Sequence, residues 1–390
     1  MNGDITYLTL QGLAVGSLYG MIALGVVLIY KTSEVLNFAH GNMGMFITFC
    51  CYTLMEKHMP RIIAAVSSSS GGESGLPLTL VFILILIIIF ILAFFLGAAI
   101  EFFTLRPITR WKVLFFLVVT FTGCVMSLLL SQTALFDGLL ALLSEYLPVF
   151  YVIFKMLSKM AVFYIFLFFF LFFLIEFFTM GPAQEPTQLG LIVITIGIWL
   201  MLDGVASSFF GTQDHALPNP MGPENFKKVA FWGIEVGQLD LMILAITALL
   251  IVFLFLFFRF SKVGTAMRAT SQIESAARLM GIKTKRIFAL TWGISSVLGA
   301  IAGILTAAKF YLNTNTMLFP FLKAFAAATM GGLTSLPGAI IGGWILGITE
   351  NLFGFYVSMD LKTPFAFLVI VIVLCIRPSG LLARHYVKKV

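Results

Sequence analysis

Uninterrupted apolar stretches decide most of what this chain can become. Residues 5–30, 78–100, 113–136 and 287–308 carry no charged side chain, and each meets or exceeds the roughly 20 residues that a helix needs to cross a bilayer. No soluble core absorbs so much apolar surface: 60% of the residues are hydrophobic and 11% charged, with a mean hydropathy of +1.06, far from a globular composition. Strand-length alternation is absent, which removes a membrane barrel from consideration. The fold class is therefore all-α, a polytopic integral membrane protein. Asp4 precedes the first apolar run in place of a basic cluster, and no small-residue cleavage pattern follows it, so that run is expected to remain as a span.

Basic residues give an orientation. Between 259 and 286 lie Arg259, Lys262, Arg268, Arg278, Lys283, Lys285 and Arg286 against the single acid Glu274, which places this loop in the cytoplasm by the positive-inside rule. Arg106, Arg110 and Lys112 form a second basic loop, and Arg384, Lys388 and Lys389 a basic tail; 211–240 instead holds four acids and only Lys227 and Lys228. The first two lie inside and the last outside. The net charge of +7 thus reflects sidedness, and no interleaved aromatic and basic pattern points to nucleic acid.

With these anchors, segments fall near 8–30, 35–55, 78–100, 113–135, 160–180, 187–210, 238–258, 287–311, 322–333, 336–357 and 363–378, some ten or eleven in all, with the N-terminus outside and the C-terminus cytoplasmic. The segment 322–333 is too short to span alone and reads as broken or re-entrant, a form tolerated only against protein or a water-filled cavity. Residues 67–75, SSSSGGESG, read as a flexible external loop. Cys50, Cys51, Cys124 and Cys375 sit in apolar runs without ligand partners, so they are packing residues, and neither a metal nor a cofactor is expected.

Glycines point to close helix packing. Gly12, Gly16 and Gly20 recur every fourth residue in the first span, Gly299 and Gly303 do so in the eighth, and Gly338, Gly342, Gly343 and Gly347 crowd the tenth; without side chains, such positions let backbones approach.

The stretch 272–288, QIESAARLMGIKTKRIF, reads as a short amphipathic helix between membrane segments. Ile273, Ala276, Ala277 and Met280 share one face, Gln272, Glu274 and Arg278 another, with Glu274 placed four residues before Arg278. Gly281 is its expected stop. Its flat alanine face suits a groove on another protein, while the surrounding cations suit lipid headgroups equally.

The motif SAARLMG resembles the cytoplasmic coupling motif of ABC-transporter permeases, with Ser275 where glutamate is common. GLAVGSLYGMIALGVVLIY (12–30), LNFAHGNMGM (36–45), RPITR (106–110), KAFAAATMGGLTSLPGAIIGGWILGITEN (323–351) and RPSGLL (377–382) accompany it in this order. Together they resemble LivH-type permeases of bacterial branched-chain amino acid uptake systems, over residues 5–110 and 186–385. The resemblance implies one transmembrane permease domain over 1–390 in the bacterial inner membrane. Its implied partners are membrane lipid, a second related permease subunit, two cytoplasmic ABC ATPases and a periplasmic substrate-binding protein. The loop 259–286 would be the coupling loop, with Ser275, Ala276, Ala277 and Gly281 transmitting the ATPase movement. The chain carries no G-x-x-x-x-G-K-[ST] phosphate loop, so it is expected to be a transport subunit and no enzyme, with hydrolysis on partner chains. One departure is the insert at 111–185, a phenylalanine-rich hairpin of two extra spans whose rings face lipid or a partner, or which forms a regulatory module.

Polar residues inside membrane stretches mark a candidate translocation path. Asn37, His40 and Gly41 form a break; Lys323, Glu350 and Asn351 flank the short segment and the tenth span. Each has a structural alternative: His40 as a packing histidine, Lys323 and Glu350 at the external interface. Asp203 and Glu176 are similar cases. The rest of the lining, glycine, alanine, threonine and amides, is expected to pass a small zwitterion without a deep, charge-paired site. Branched-chain amino acids are favoured over urea or short amides, and the alternative class is an ion-coupled secondary transporter.

Overall fold

The computed structural model describes residues 2–69, 76–104, 188–217, 228–231, 234–377 and 380–382. The insert at 111–185, the basic loop 106–112, residues 70–75 of the serine-glycine linker and the tail from 383 lie outside the described residues. The elements are α1 (Asn2–Ser33), α2 (His40–Ser69), α3 (Leu76–Thr104), α4 (Gln188–Phe210), β1 (Lys228–Phe231), β2 (Ile234–Gly237), α5 (Gln238–Phe260), α6 (Lys262–Gln272), α7 (Glu274–Leu279), α8 (Thr284–Lys309), α9 (Leu318–Gly331), α10 (Leu336–Tyr356) and α11 (Lys362–Ile376). Helices dominate because hydrocarbon offers no partner to a backbone N–H or C=O, and a helix satisfies both within one segment.

Among the described residues, α1, α3, α4, α5, α8 and α10 are long and apolar enough to cross a membrane, and α9 and α11 are shorter apolar helices. Burial sorts them. Of the apolar window in α1, 89% is buried, against 17% in α5, so α1 is the axis of the bundle and α5 one of its walls. On the outer walls, Leu84, Ile91 and Phe95 of α3, Leu189 and Leu200 of α4, and Leu249, Phe253 and Leu256 of α5 stand exposed, as lipid-facing side chains do.

The glycines explain how α1 is enclosed. A methyl group on Gly16 would fall 2.5 Å from the Gly343 carbonyl oxygen, and one on Gly343 would fall 2.6 Å from that of Gly16. Gly12 meets Gly347 and Ile348, and Gly20 meets Ile340, so α1 and α10 run antiparallel with backbones in contact. Gly338 and Gly342 belong to a different face of α10 and abut Gly331 and Ala327 of α9. Gly299 and Gly303 of α8 meet His40, Gly44 and Thr48 of α2. Trp344 Nε1 donates to Ser17 Oγ at 2.9 Å and Asn351 Nδ2 to the Leu8 carbonyl at 2.8 Å, locking the α1–α10 register.

Two boundaries and one added element stand out against the sequence reading. The second segment begins at His40, after an irregular stretch, and continues as helix through Ser69, taking the first serines of the expected linker into α2. The short segment begins at Leu318, four residues before the expected 322, because Pro320 sits within the first turn, where its missing N–H costs nothing. Between α4 and α5 a two-stranded antiparallel hairpin pairs Val229 with Val236 and Phe231 with Ile234, the one sheet among the described residues.

The ends of α9 are held by other parts of the chain. Gly332 takes φ 101, a positive value that favours glycine, and turns α9 into α10. Beyond α11 the chain returns, and the N–H groups of Leu381 and Leu382 donate to the Met330 and Gly331 carbonyls at 2.8 and 3.1 Å.

Gly347→Val should destabilise the detergent-solubilised protein by about 1–3 kcal/mol, since the new side chain overlaps the α1 backbone. Gly204→Ala, in the interior of α4 with open space around it among the described residues, should leave thermal unfolding unchanged or raise it slightly, since alanine is the better helix former. Equal melting behaviour of the two variants would contradict the α1–α10 contact.

Candidate functional site

The six candidate path residues separate into two groups. In the first, the chain leaves α1 through Glu34, whose φ of 55 is unusual for a residue with a side chain, and re-enters helix at His40. Broken backbone in a membrane must find substitutes for helical hydrogen bonds. Asn37 Oδ1 accepts from the Ala39 N–H at 3.0 Å, and Thr195 of α4 accepts from the Phe38 N–H at 3.3 Å. Thr195 carried no signal in the sequence. His40 is fully buried; its Nδ1 lies 3.3 Å from Ser295 Oγ, which donates to the Gly25 carbonyl at 2.8 Å. Its ring fills the space left by Gly25 and Gly299, the arrangement of a packing histidine. Gly41 admits α9, since a Cβ there would sit 2.8 Å from Phe321 Cβ.

The second group is ionic. Lys323 of α9 donates to Glu350 Oε1 of α10 at 2.5 Å, with side-chain exposures of 9% and 1%. The pair is buried inside the protein rather than exposed at an external interface. Tyr19 of α1 lies beside Glu350, and its ring centroid is 5.6 Å from Lys323 Nζ. Asn351 turns the other way, its amide committed to Leu8 and Gln11 of α1. A second ion pair, Lys309 with Asp240, joins the last turn of α8 to the first turn of α5, where the helix dipoles favour each charge. Glu101, buried in α3, and Tyr19 also went unnoticed in the sequence. Lys323 offered the better signal: a cation in an apolar run calls for a carboxylate nearby, and Glu350 follows it 27 positions later.

The loop after α5 forms two helices. Ser261 caps α6 by accepting from the Gly264 N–H at 2.8 Å, and Gly264, Met267 and Thr270 turn inward. In α7 the Glu274–Arg278 pair forms at 2.5 Å, and Arg278 Nε also donates to Thr284 Oγ1 at 3.1 Å, tying α7 to the start of α8. Gly281, at φ 83, closes the helix: its N–H reaches the Arg278 carbonyl and that of Ile282 reaches the Ala277 carbonyl, the paired bonds of a Schellman stop. The expected apolar face is divided. Ala277 is buried against the bundle, whereas Ile273 and Met280 are exposed at 61% and 83%, as is Leu279, outside that face, at 89%. Ser275, Ala276 and Gly281 are exposed beside them.

A glycine-packed bundle of membrane-length helices, with buried charges and a short helix embedded in it, is the architecture of a multi-pass membrane protein. A family model described as branched-chain amino acid transport system / permease component matches residues 8–374, and the chain belongs to that family. The high-affinity branched-chain amino acid transport system permease protein LivH of Escherichia coli (strain K12) is 34% identical over 225 residues, covering 55% of this chain and 71% of that protein. BraD of Pseudomonas aeruginosa, of the same description, is 32% identical over 220 residues, with the same two shares. A probable branched-chain amino acid transport permease protein LivH of Methanocaldococcus jannaschii is 29% identical over 196 residues, 50% of this chain and 62% of that protein. No solved structure matches significantly.

Lys323→Met should destabilise the protein by about 3–5 kcal/mol, because it leaves the Glu350 carboxylate buried without its cation. Lys323→Met combined with Glu350→Leu should recover most of that loss in chemical unfolding. A double variant as unstable as the single one would show that the two side chains are not coupled.

Proposed function

We propose that this chain is the permease subunit of a binding-protein-dependent importer that moves branched-chain amino acids across the bacterial inner membrane. It works with a second related permease, two cytoplasmic ATPases and a periplasmic binding protein. The observation that carries this reading is the surface of α7. Three large apolar side chains, Leu279 at the end of α7 and Ile273 and Met280 at its two caps, stand out from the protein on a segment fixed by Arg278 and Thr284 to the foot of α8. Their exposure suits a groove on a partner, and α8 connects that groove with the bundle interior through Ser295 and His40. Closure of the ATPases on nucleotide would push α7 and tilt α8 against α1 and α2, exchanging outward for inward access.

Sidedness follows from charge. The α6–α7 end is cytoplasmic, the β1–β2 hairpin and the start of α5 are external, and the N-terminus is outside. An ion-coupled secondary transporter would use Glu350 as its titrating carboxylate, but Lys323 already neutralises it, which favours the ATP-driven reading. Selection among amino acids rests largely with the binding protein, so leucine should bind the purified permease alone only weakly. Micromolar affinity would assign selectivity to this chain instead.

Leu279→Asp and Met280→Asp should abolish copurification with the ATPases and uptake into vesicles, with unfolding temperatures unchanged because both side chains are exposed. Ala277→Glu should lower stability, since it buries a charge. Full uptake by correctly inserted Leu279→Asp protein would sink the coupling assignment.

A further inference from the structure

We propose that Lys323, Glu350 and Lys362, walled by Tyr19, form a site for the two charged ends of an α-amino acid: the ligand's ammonium binds Glu350, and its carboxylate binds Lys323 and Lys362. The importer reading supplies the substrate class on which this rests, and the site itself is read from charge and geometry.

Three lysines and two carboxylates gather toward the hairpin end of the bundle. Lys309 is taken by Asp240 and Lys323 by Glu350. Lys362, in the first turn of α11, is half-buried, and its ammonium has no hydrogen-bond or ion-pair partner among the described residues, although it lies within electrostatic reach of Glu350 and Lys323. Its position is built. The stem crosses Gly354, where a Cβ would come within 3.1 Å of Lys362 Cδ, and Gly354 is one helical turn beyond Glu350 on the same face of α10. Phe353 stacks on Phe365 at 3.9 Å between centroids, fixing α11 on α10. On the other side of the charge balance, Glu350 Oε2 is buried and accepts no hydrogen bond among the described residues, a costly condition for a carboxylate oxygen.

The cluster therefore presents a spare ammonium and a spare acceptor side by side. An amine alone would leave the lysines without an anion, and a carboxylate alone would leave Glu350 unpaired. A dipolar ion satisfies both at once, so it can open the Lys323–Glu350 pair without stranding either charge. The pair then acts as a plug for which the zwitterion substitutes, and the Tyr19 ring keeps a face toward whichever ammonium occupies the site.

Saturation-transfer NMR on the purified full-length permease in lipid nanodiscs, without binding protein, tests the site with leucine, leucinamide and N-acetylleucine as probes. Leucine should show millimolar contact, with both capped analogues about tenfold weaker. Lys362→Met should weaken leucine about tenfold, as expected for loss of one charge-assisted hydrogen bond, and Lys362→Arg should restore it to within about threefold. Lys362 is half-exposed and outside the ion pairs, so these variants should fold; unchanged thermal unfolding checks this. Equal contact by all three probes, unaltered leucine binding in Lys362→Met, or no leucine contact in the unmodified permease would overturn the site. Leucine uptake by the assembled complex, measured separately, reports on the importer reading: uptake without NMR contact removes the site and leaves the importer standing.

Discussion

Direct backbone contact between α1 and α10 governs this structure. Helices in a membrane gain little from burying apolar side chains, because lipid is as apolar as leucine; they associate through close packing and polar contacts. Gly12, Gly16 and Gly20 set against Gly343 and Gly347 provide that packing. The consequence reaches the charges. Once α1 and α10 are locked at this distance, Tyr19 has a place beside Glu350, and α9 can lie against α10 through Gly331 and Ala327, which brings Lys323 to Glu350. A thicker side chain in the ladder would therefore disturb the ion pair without touching it.

A similar economy holds on the other side of α1. Gly25, Gly44, Gly299 and Gly303 bring α1, α2 and α8 together around the His40 ring, so the break between α1 and α2 is stiffened by packing rather than left loose. α8 thus holds both ends of a mechanical line: its foot is joined to α7 through Arg278 and Thr284, and its middle to the break through Ser295. Movement imposed on α7 has a short, bonded route into the bundle.

Much of this was legible in the residues themselves, and the exceptions share a cause. Spans and glycine contacts follow from local period and residue size, and the stop at Gly281 from the conformational freedom of glycine, so a linear reading reaches them. In the sequence Glu350 reads as a path residue or, because it lies near the end of α10, as an interface residue, and only the three-dimensional approach of α9 shows that Lys323 covers it. Thr195 rescues backbone groups more than 150 positions away, and Tyr19 is one aromatic among many. Ala277 was grouped with Ala276 by spacing, although helix packing turns one inward and leaves the other out. What the sequence hid was which partners the fold brings together.

The return of the chain to α9 has a temporal side. The last carbonyls of that helix obtain their donors from Leu381 and Leu382, residues that leave the ribosome some fifty positions after the helix itself. Until α11 has been made and laid in place, α9 carries open acceptors at one end and can settle there only against water or headgroups. The short helix consequently acquires its final bonds only after α11 has been made, and truncation shortly before residue 380 would leave an assembly whose long spans are in order while the end of α9 at Met330 and Gly331 remains uncapped.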